Sequence, residues 1–259
     1  MSRKSTTATG VPGWEALLPW LRAGTTLRER TESRLREPCG PREAHDPWTT
    51  GRPDNGCCTP FGDGWRSVVR SRQVHGAETR VHTELPPGES VVGEGDGHLT
   101  RRPGLLLTVT LADCVPVFVA DPVRRAVALL HAGWRGTAAG VLEQGLAAMG
   151  RAFGSALGDV LVHLGPAICG ECYEVGPEVF EALGEAAPPR PKPLDLRGVI
   201  RRRALAAGIG PERLTVNREC TLCGDGRYYS HRRGDTGRHL GFIGILPRSG
   251  HPGQNGAAS

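Results

Sequence analysis

Aromatic residues are scarce in this chain, at 5% of 259 positions. Any core must therefore be built from Leu, Val, Ala and Ile rather than from packed rings. Apolar residues reach 38%, enough for a substantial interior and, at this length, for one large domain. Lysine occurs only as Lys4 and Lys192, and arginine carries the positive charge, which reads as a bias of base composition. No apolar run reaches the roughly 18 residues that a helical membrane span needs. The N-terminus lacks the charged start and apolar stretch of a secretory signal. The expectation is a cytoplasmic protein that engages no membrane. In that reducing compartment eight cysteines read as thiols or metal ligands, not as a disulfide framework. A net charge of +5 is too mild for the concentrated basic face of a nucleic-acid binder.

Both ends are expected to be disordered. Residues 1–10 are small and polar, and 247–259 are rich in Gly, Pro, Ser and Asn. Residues 28–63 combine Pro, Gly and charge with little periodicity, so 1–64 is read as an irregular N-terminal segment. From Trp65 the pattern sharpens. Strands are predicted at 67–74, 105–110, 115–120, 126–130, 160–164, 214–216 and 239–246. A helix is predicted over 137–153, where Val141, Leu142, Leu146, Met149 and Phe153 share one face. Further helices are predicted over 177–183 and 196–207. Strands in direct succession mixed with helices indicate a layered α/β or α+β domain over 65–246, followed by a disordered tail at 247–259.

Three of these strands end on polar residues. Arg72-Gln73-Val74-His75-Gly76 closes one with a histidine, Leu111-Ala112-Asp113-Cys114-Val115-Pro116 sets a cysteine between two others, and His131-Ala132-Gly133-Trp134-Arg135-Gly136 leaves a strand for a helix. Two imidazoles and a thiolate suit a borderline-soft divalent ion, and three protein ligands with one open position is the catalytic zinc arrangement. Copper accepts the same donors. The residues alone allow two other readings: a buried thiol with two unrelated histidines, or Cys114 as nucleophile with His131 as its base. The small residues after His131, followed by a helix start, suit an anion, and Arg135 adds a bidentate donor for phosphate. A tight turn that needs glycine only for its backbone angles explains the same string.

Taken together, the strings RQVHG, LADCVPV, HAGWRGT, GPAICGECYEVG and CTLCGDGRYYSHRRGDTGRHLGFIGI, in this order over about residues 67–246, resemble the YfiH-type laccase-domain family. That resemblance implies a layered α-β-β-α sandwich with mixed sheets, of the type shared with toxin deamidases. It implies a metal-binding catalytic domain over 65–246 with zinc, or copper, held by His75, Cys114 and His131. Zinc-dependent phosphorolysis of purine nucleosides follows from it, together with deamination of adenosine and phosphorolysis of methylthioadenosine. Alternatives within the family are a cysteine or metal hydrolase editing cell-wall precursors and a copper-dependent polyphenol oxidase. The second needs several copper centres, whereas only His75 and His131 of nine histidines stand in strong motifs. On the favoured reading Cys114, His131 and Arg135 are catalytic, Arg135, Gly136, Arg232 and Arg233 bind substrate, and the partners are a nucleoside and phosphate. Tyr173 and Glu174 are further candidates for substrate contact, and Asp113 is expected to be structural. The protein is expected to be a monomer or homodimer.

Two C-x-x-C pairs remain, Cys169–Cys172 and Cys220–Cys223. Spacing reads them as a four-cysteine structural zinc site; the alternative is four reduced, partly buried thiols. In the family, cysteine is frequent at the positions of Cys172 and Cys220, glycine is common at Cys169, and Cys223 is variable. The departure from the family lies at the N-terminus, where its glycine-rich T-R-x-G-G-V-S segment has only 24–28 as a loose counterpart. Arg28 is the one candidate there for a substrate-binding arginine.

Overall fold

The computed structural model describes residues 8–28 and 65–247. One six-stranded mixed sheet runs from edge to edge through Ala8–Gly10 (β1), Leu21–Thr26 (β2), His239–Ile245 (β14), Leu105–Leu111 (β7), Ser67–Arg72 (β3) and Gly88–Glu94 (β5). A second runs through Leu214–Val216 (β13), Leu161–Leu164 (β10), Val115–Asp121 (β8), Ala126–Ala132 (β9), Gly97–Thr100 (β6) and Thr79–His82 (β4). Glu174–Val175 (β11) and Lys192–Pro193 (β12) form a small ribbon. The helices are Trp14–Leu17 (α1), Trp134–Ala138 (α2), Val141–Phe153 (α3), Pro177–Leu183 (α4) and Leu196–Ala206 (α5).

Every residue of β8 and β9 is buried, because both faces of the second sheet are covered. One set of alternate side chains, Phe118, Ala120, Val127 and Leu129, meets Leu107, Val109 and Ile243 of the first sheet. The other set, Val117, Val119, Ala128 and Leu130, meets Leu142, Leu146 and Met149 of α3 and Ile200 of α5. This is why the two strands read as unbroken apolar runs rather than as alternating ones. Among the described residues, the outer face of the first sheet carries a small cluster, Val68, Leu106 and Phe242 with Ala8 and Trp65. The chain thus adopts the layered α/β sandwich with two mixed sheets that the resemblance implies.

Several elements differ from the sequence expectations. The helix expected over 137–153 is two helices, because Gly140 takes the left-handed conformation, with φ of 80°, between α2 and α3. Residues 8–26 are not irregular: β1 pairs antiparallel with β2, and β2 with β14, from Leu21↔Ile245 to Thr25↔Gly241. Their order comes from a partner more than two hundred residues away in sequence, which local patterning cannot report. Strands β4, β5 and β6 also lack an alternating apolar signature. Residues 1–7, 29–64 and 248–259, with Cys39, Cys57, Cys58, most of the expected irregular segment and the tail, lie outside the described residues.

Candidate metal centre

Three crossings from the first sheet to the second meet beside the end of β9. They are 73–78 between β3 and β4, 95–96 between β5 and β6, and 112–114 between β7 and β8. They carry His75, Asp96 and Cys114, and β9 adds His131. The ligand atoms of His75, Cys114 and His131 lie within 4.8 Å of one another. The two imidazoles meet edge to face at 4.9 Å between centroids. His131 is buried, Cys114 half-buried and His75 exposed, so the cluster opens toward solvent on the His75 side.

Asp96 organises this cluster, and sequence reasoning missed it. Its carboxylate accepts N–H bonds from Val74, His75 and Gly76 at 3.1, 3.0 and 2.8 Å. It also meets Nδ1 of His131 at 2.8 Å, and its carbonyl accepts the His131 N–H at 2.7 Å. One buried carboxylate therefore fixes the backbone of the first ligand loop and the ring of the third ligand. With Nδ1 turned to Asp96, Nε2 of His131 is the nitrogen left for a metal. The only trace of this residue in the sequence is an acid flanked by glycines, Gly95-Asp96-Gly97.

The backbone is strained at two of these crossings. His75 and Asp113 take φ of 58° and 85°, the left-handed region that costs a non-glycine residue on the order of 1–3 kcal/mol. Each is held by its surroundings. The His75 N–H is bound to Asp96, while the Asp113 carboxylate accepts Thr221 Oγ1 at 2.6 Å and the Arg232 N–H at 2.7 Å. Gln73 prolongs the β3–β7 pairing with its side chain: Nε2 donates to the Thr110 carbonyl at 2.9 Å, and Oε1 accepts the Thr110 N–H at 2.7 Å. Two glycines make room for the cluster, and at Gly136 the close approach is to backbone. A Cβ on Gly133 would lie 3.0 Å from the Cys114 sulfur and 3.1 Å from the His75 ring, and one on Gly136 would lie 2.7 Å from the Gly76 carbonyl oxygen.

The electrostatics match the donor set. Burial pushes the Cys114 thiol up, but the facing His131 and His75 imidazoles bring it down from 9.0 to about 6. Burial pulls His131 down, but Cys114 and Asp96 raise it from 6.5 to about 9. Burial raises Asp96, and its bonds from His131 and the Gly76 and Val74 amides hold it below the usual carboxylate range. A site that favours a thiolate between two imidazoles, with no Cβ intruding at Gly133, fits a divalent ion.

The other expected site residues divide. Tyr173 stands near the cluster: burial and the Cys114 charge push its phenol up to about 12, while Arg232 and Arg135 oppose them. The Arg232 guanidinium lies 5.4 Å from the Tyr173 ring centroid and donates to the Glu174 carbonyl at 3.0 Å. Arg135 is exposed and stacks on Trp134 at 4.5 Å. Gly136 is buried against Gly76 rather than turned to solvent. Arg233, expected to bind substrate, spends its guanidinium on Asp235 and on the carbonyls of Thr221, Leu222 and Tyr228. Arg28 pairs with Asp235 at 3.6 Å and lies over Tyr229.

A histidine–cysteine–histidine cluster able to hold a metal ion, carried on crossings between two mixed sheets, places the chain in the α/β sandwich class with a candidate metal centre. The chain belongs to the family described as multi-copper polyphenol oxidoreductase laccase, whose model matches residues 58–246. It is 37% identical over 195 residues to the purine nucleoside phosphorylase YlmD of Geobacillus stearothermophilus, covering 68% of this chain and 71% of that protein. It is 31% identical to adenosine deaminase RL5 of an unknown prokaryotic organism, covering 69% and 74%. The crystal structure of YlmD from Geobacillus stearothermophilus superposes with a TM-score of 0.74 at 27% identity, covering 95% of this chain and 98% of that one. Among the described residues no helix is long and apolar enough to cross a membrane.

Proposed function

We propose that this chain is a zinc-dependent purine nucleoside phosphorylase. The observation that carries this reading is the convergence of His75, Cys114 and His131 within 4.8 Å, beside Tyr173, Arg135 and Arg232. Two imidazoles and one thiolate would hold the ion as three protein ligands. When bound, the metal supplies Lewis acidity at its open position. Asp96 keeps the His131 ring in one orientation and one tautomer throughout. Arg135 and Arg232 present planar N–H donors suited to phosphate oxygens. Tyr173, with its ring beneath Arg232, offers an aromatic wall for a purine. Its phenol stays protonated at neutral pH, so Oη serves as a hydrogen-bond donor to the departing base. In the reaction a phosphate oxygen bonds to the anomeric carbon, the glycosidic bond breaks, and the purine leaves with its electron pair and takes up a proton. Gly136 and Arg233 act by position: the first lets α2 approach the His75 loop, and the second holds the loop that presents Arg232.

The relative named as an adenosine deaminase supports a second activity at the same cluster, deamination of adenosine, and methylthioadenosine is a further candidate for phosphorolysis. The polyphenol oxidase reading is not favoured, since the described residues contain a single imidazole-bearing metal cluster.

The test is metal analysis followed by incubation with adenosine, inosine or methylthioadenosine, with and without phosphate. Free purine and a sugar phosphate, formed only with phosphate and lost after chelation, are expected. Inosine from adenosine without phosphate would add the deaminase activity. Copper at the His75 cluster would replace zinc in this account. A chain inert on all three nucleosides, whose hydrolysis of an amide survives chelation and dies on thiol alkylation, would be a cysteine hydrolase instead.

A further inference from the structure

We infer that Cys169, Cys172, Cys220 and Cys223 form a second metal site, a closed structural zinc centre that locks the loops beside the His75–Cys114–His131 cluster. It is built from residues the proposed chemistry does not use, and it stands independently of the phosphorylase reading. The four sulfurs lie within 4.8 Å of one another and all four cysteines are free. Sγ of Cys169 and Sγ of Cys223 are 3.8 Å apart. A tetrahedron with zinc–sulfur distances of about 2.3 Å has an edge of about 3.8 Å, whereas a disulfide needs about 2.05 Å.

The surrounding backbone is arranged for a thiolate. Sγ of Cys220 accepts N–H bonds from Cys169 at 3.2 Å and from Leu222 and Cys223 at 3.4 Å. Three amides on one sulfur favour its charged form, because a neutral thiol is a weak acceptor. The Cys220–Cys223 turn is closed by the Gly224 N–H on the Cys220 carbonyl at 3.2 Å. A Cβ on Gly224 would lie 2.4 Å from that oxygen, so the turn requires glycine after its second cysteine. The Cys169–Cys172 turn is closed by the N–H groups of Cys172 and Tyr173 on the Cys169 carbonyl, at 3.2 and 3.1 Å. An isolated bridge, Ala167↔Cys220, ties the two turns together. The donors are thus assembled by the fold itself.

Charge supplies an independent argument. Zinc with four thiolates carries a net charge of about −2. The buried Arg197 interacts electrostatically with Cys169 and Cys220 and is fixed by bonds to the Asn217 and Glu219 carbonyls at 2.6 and 2.9 Å. A fixed cation beside this cluster offsets the charge of such a centre.

Four protein ligands leave no open position, so the role is structural. Tyr173 directly follows Cys172. Thr221, between the other two cysteines, holds Asp113 beside Cys114, and the Thr221 and Leu222 carbonyls anchor Arg233. The ion would fix these contacts as a unit.

Zinc per chain, measured on the full-length protein purified without chelator, tests the assignment. About two equivalents are expected for the natural protein, and about one for His75→Ala/His131→Ala. Cys169→Ser/Cys223→Ser should lose one equivalent and keep the other. Because that variant could misfold, the His75→Ala/His131→Ala protein is also loaded with cobalt. Strong sulfur-to-cobalt charge-transfer absorption with intense tetrahedral bands is expected, and the four thiols should resist a thiol reagent until the metal is released. Natural protein with one equivalent and four freely reactive thiols, iron in place of zinc, or disulfides joining these cysteines would each overturn the proposal.

Discussion

Asp96 shows how much a single residue outside the ligand set can decide. It binds three consecutive amides and one ligand ring. Asp96→Asn should weaken metal affinity by roughly 10–100-fold, the usual effect of losing such a partner, as read by competition with a chromophoric chelator. Unchanged affinity would mean that the loop holds itself. Arg135 is the second test. Loss of a charged hydrogen bond is worth about 1.5–3 kcal/mol, so Arg135→Ala should lower kcat/KM for phosphate by roughly 10–150-fold. The KM for nucleoside should hardly move; an equal loss for both substrates would deny Arg135 its phosphate role. The three candidate ligands were legible as candidates because each stands in its own motif at a strand end, and the family resemblance then singled them out. Asp96 was not, because a lone acid between glycines looks like any turn. Arg233 was legible only as an arginine: that Asp235 and three carbonyls consume its donors depends on how the loop closes.

Among the elements, legibility follows what each strand buries. β7, β8 and β9 bury Leu, Val and Ala on one or both faces and were read nearly to their ends. β6 is wholly buried, yet two of its residues are His98 and Thr100. His98 lies between Ser71 Oγ at 3.2 Å and His82 Nε2 at 2.9 Å, while Thr100 donates to the His82 carbonyl at 2.8 Å. A strand buried through polar partners inverts the apolar signal. The α2–α3 break was missed for a different reason, since helical spacing continues across Gly140. Helix α2 carries its own prediction. Gly136→Ala sets a methyl group against the Gly76 carbonyl, a backbone atom that cannot step aside. The helix must move off the His75 loop, costing about 1–3 kcal/mol in urea denaturation and lowering metal occupancy. Full occupancy with unchanged stability would show that the loop moves freely.

At the scale of the whole molecule, four of the five buried histidines among the described residues, all but His131, set a response to acid. Burial lowers each from 6.5, to about 4 for His82 and His163 and about 3 for His98 and His239. Neither ring nitrogen of His239 has a hydrogen-bond partner among the described residues. A depressed folded pKa means that the unfolded chain takes protons first, so stability is intact above pH 6.5 and is lost as pH falls toward the folded values. The urea midpoint should therefore decline steadily from about pH 6.5 to 4, by an amount worth several kcal/mol; a level profile would show that these rings accept protons without unfolding. The proposed metal ligands, meanwhile, come from both layers: His75 leaves the first sheet, Cys114 joins the two and His131 sits in the second. An ion there is a rivet through the seam, and any slip of one sheet over the other is felt in its coordination first. Trimming the shared interior, as at Leu107 or Val127, should then quicken metal escape before the strands themselves give way, so that the bound ion serves as a strain gauge for the sandwich.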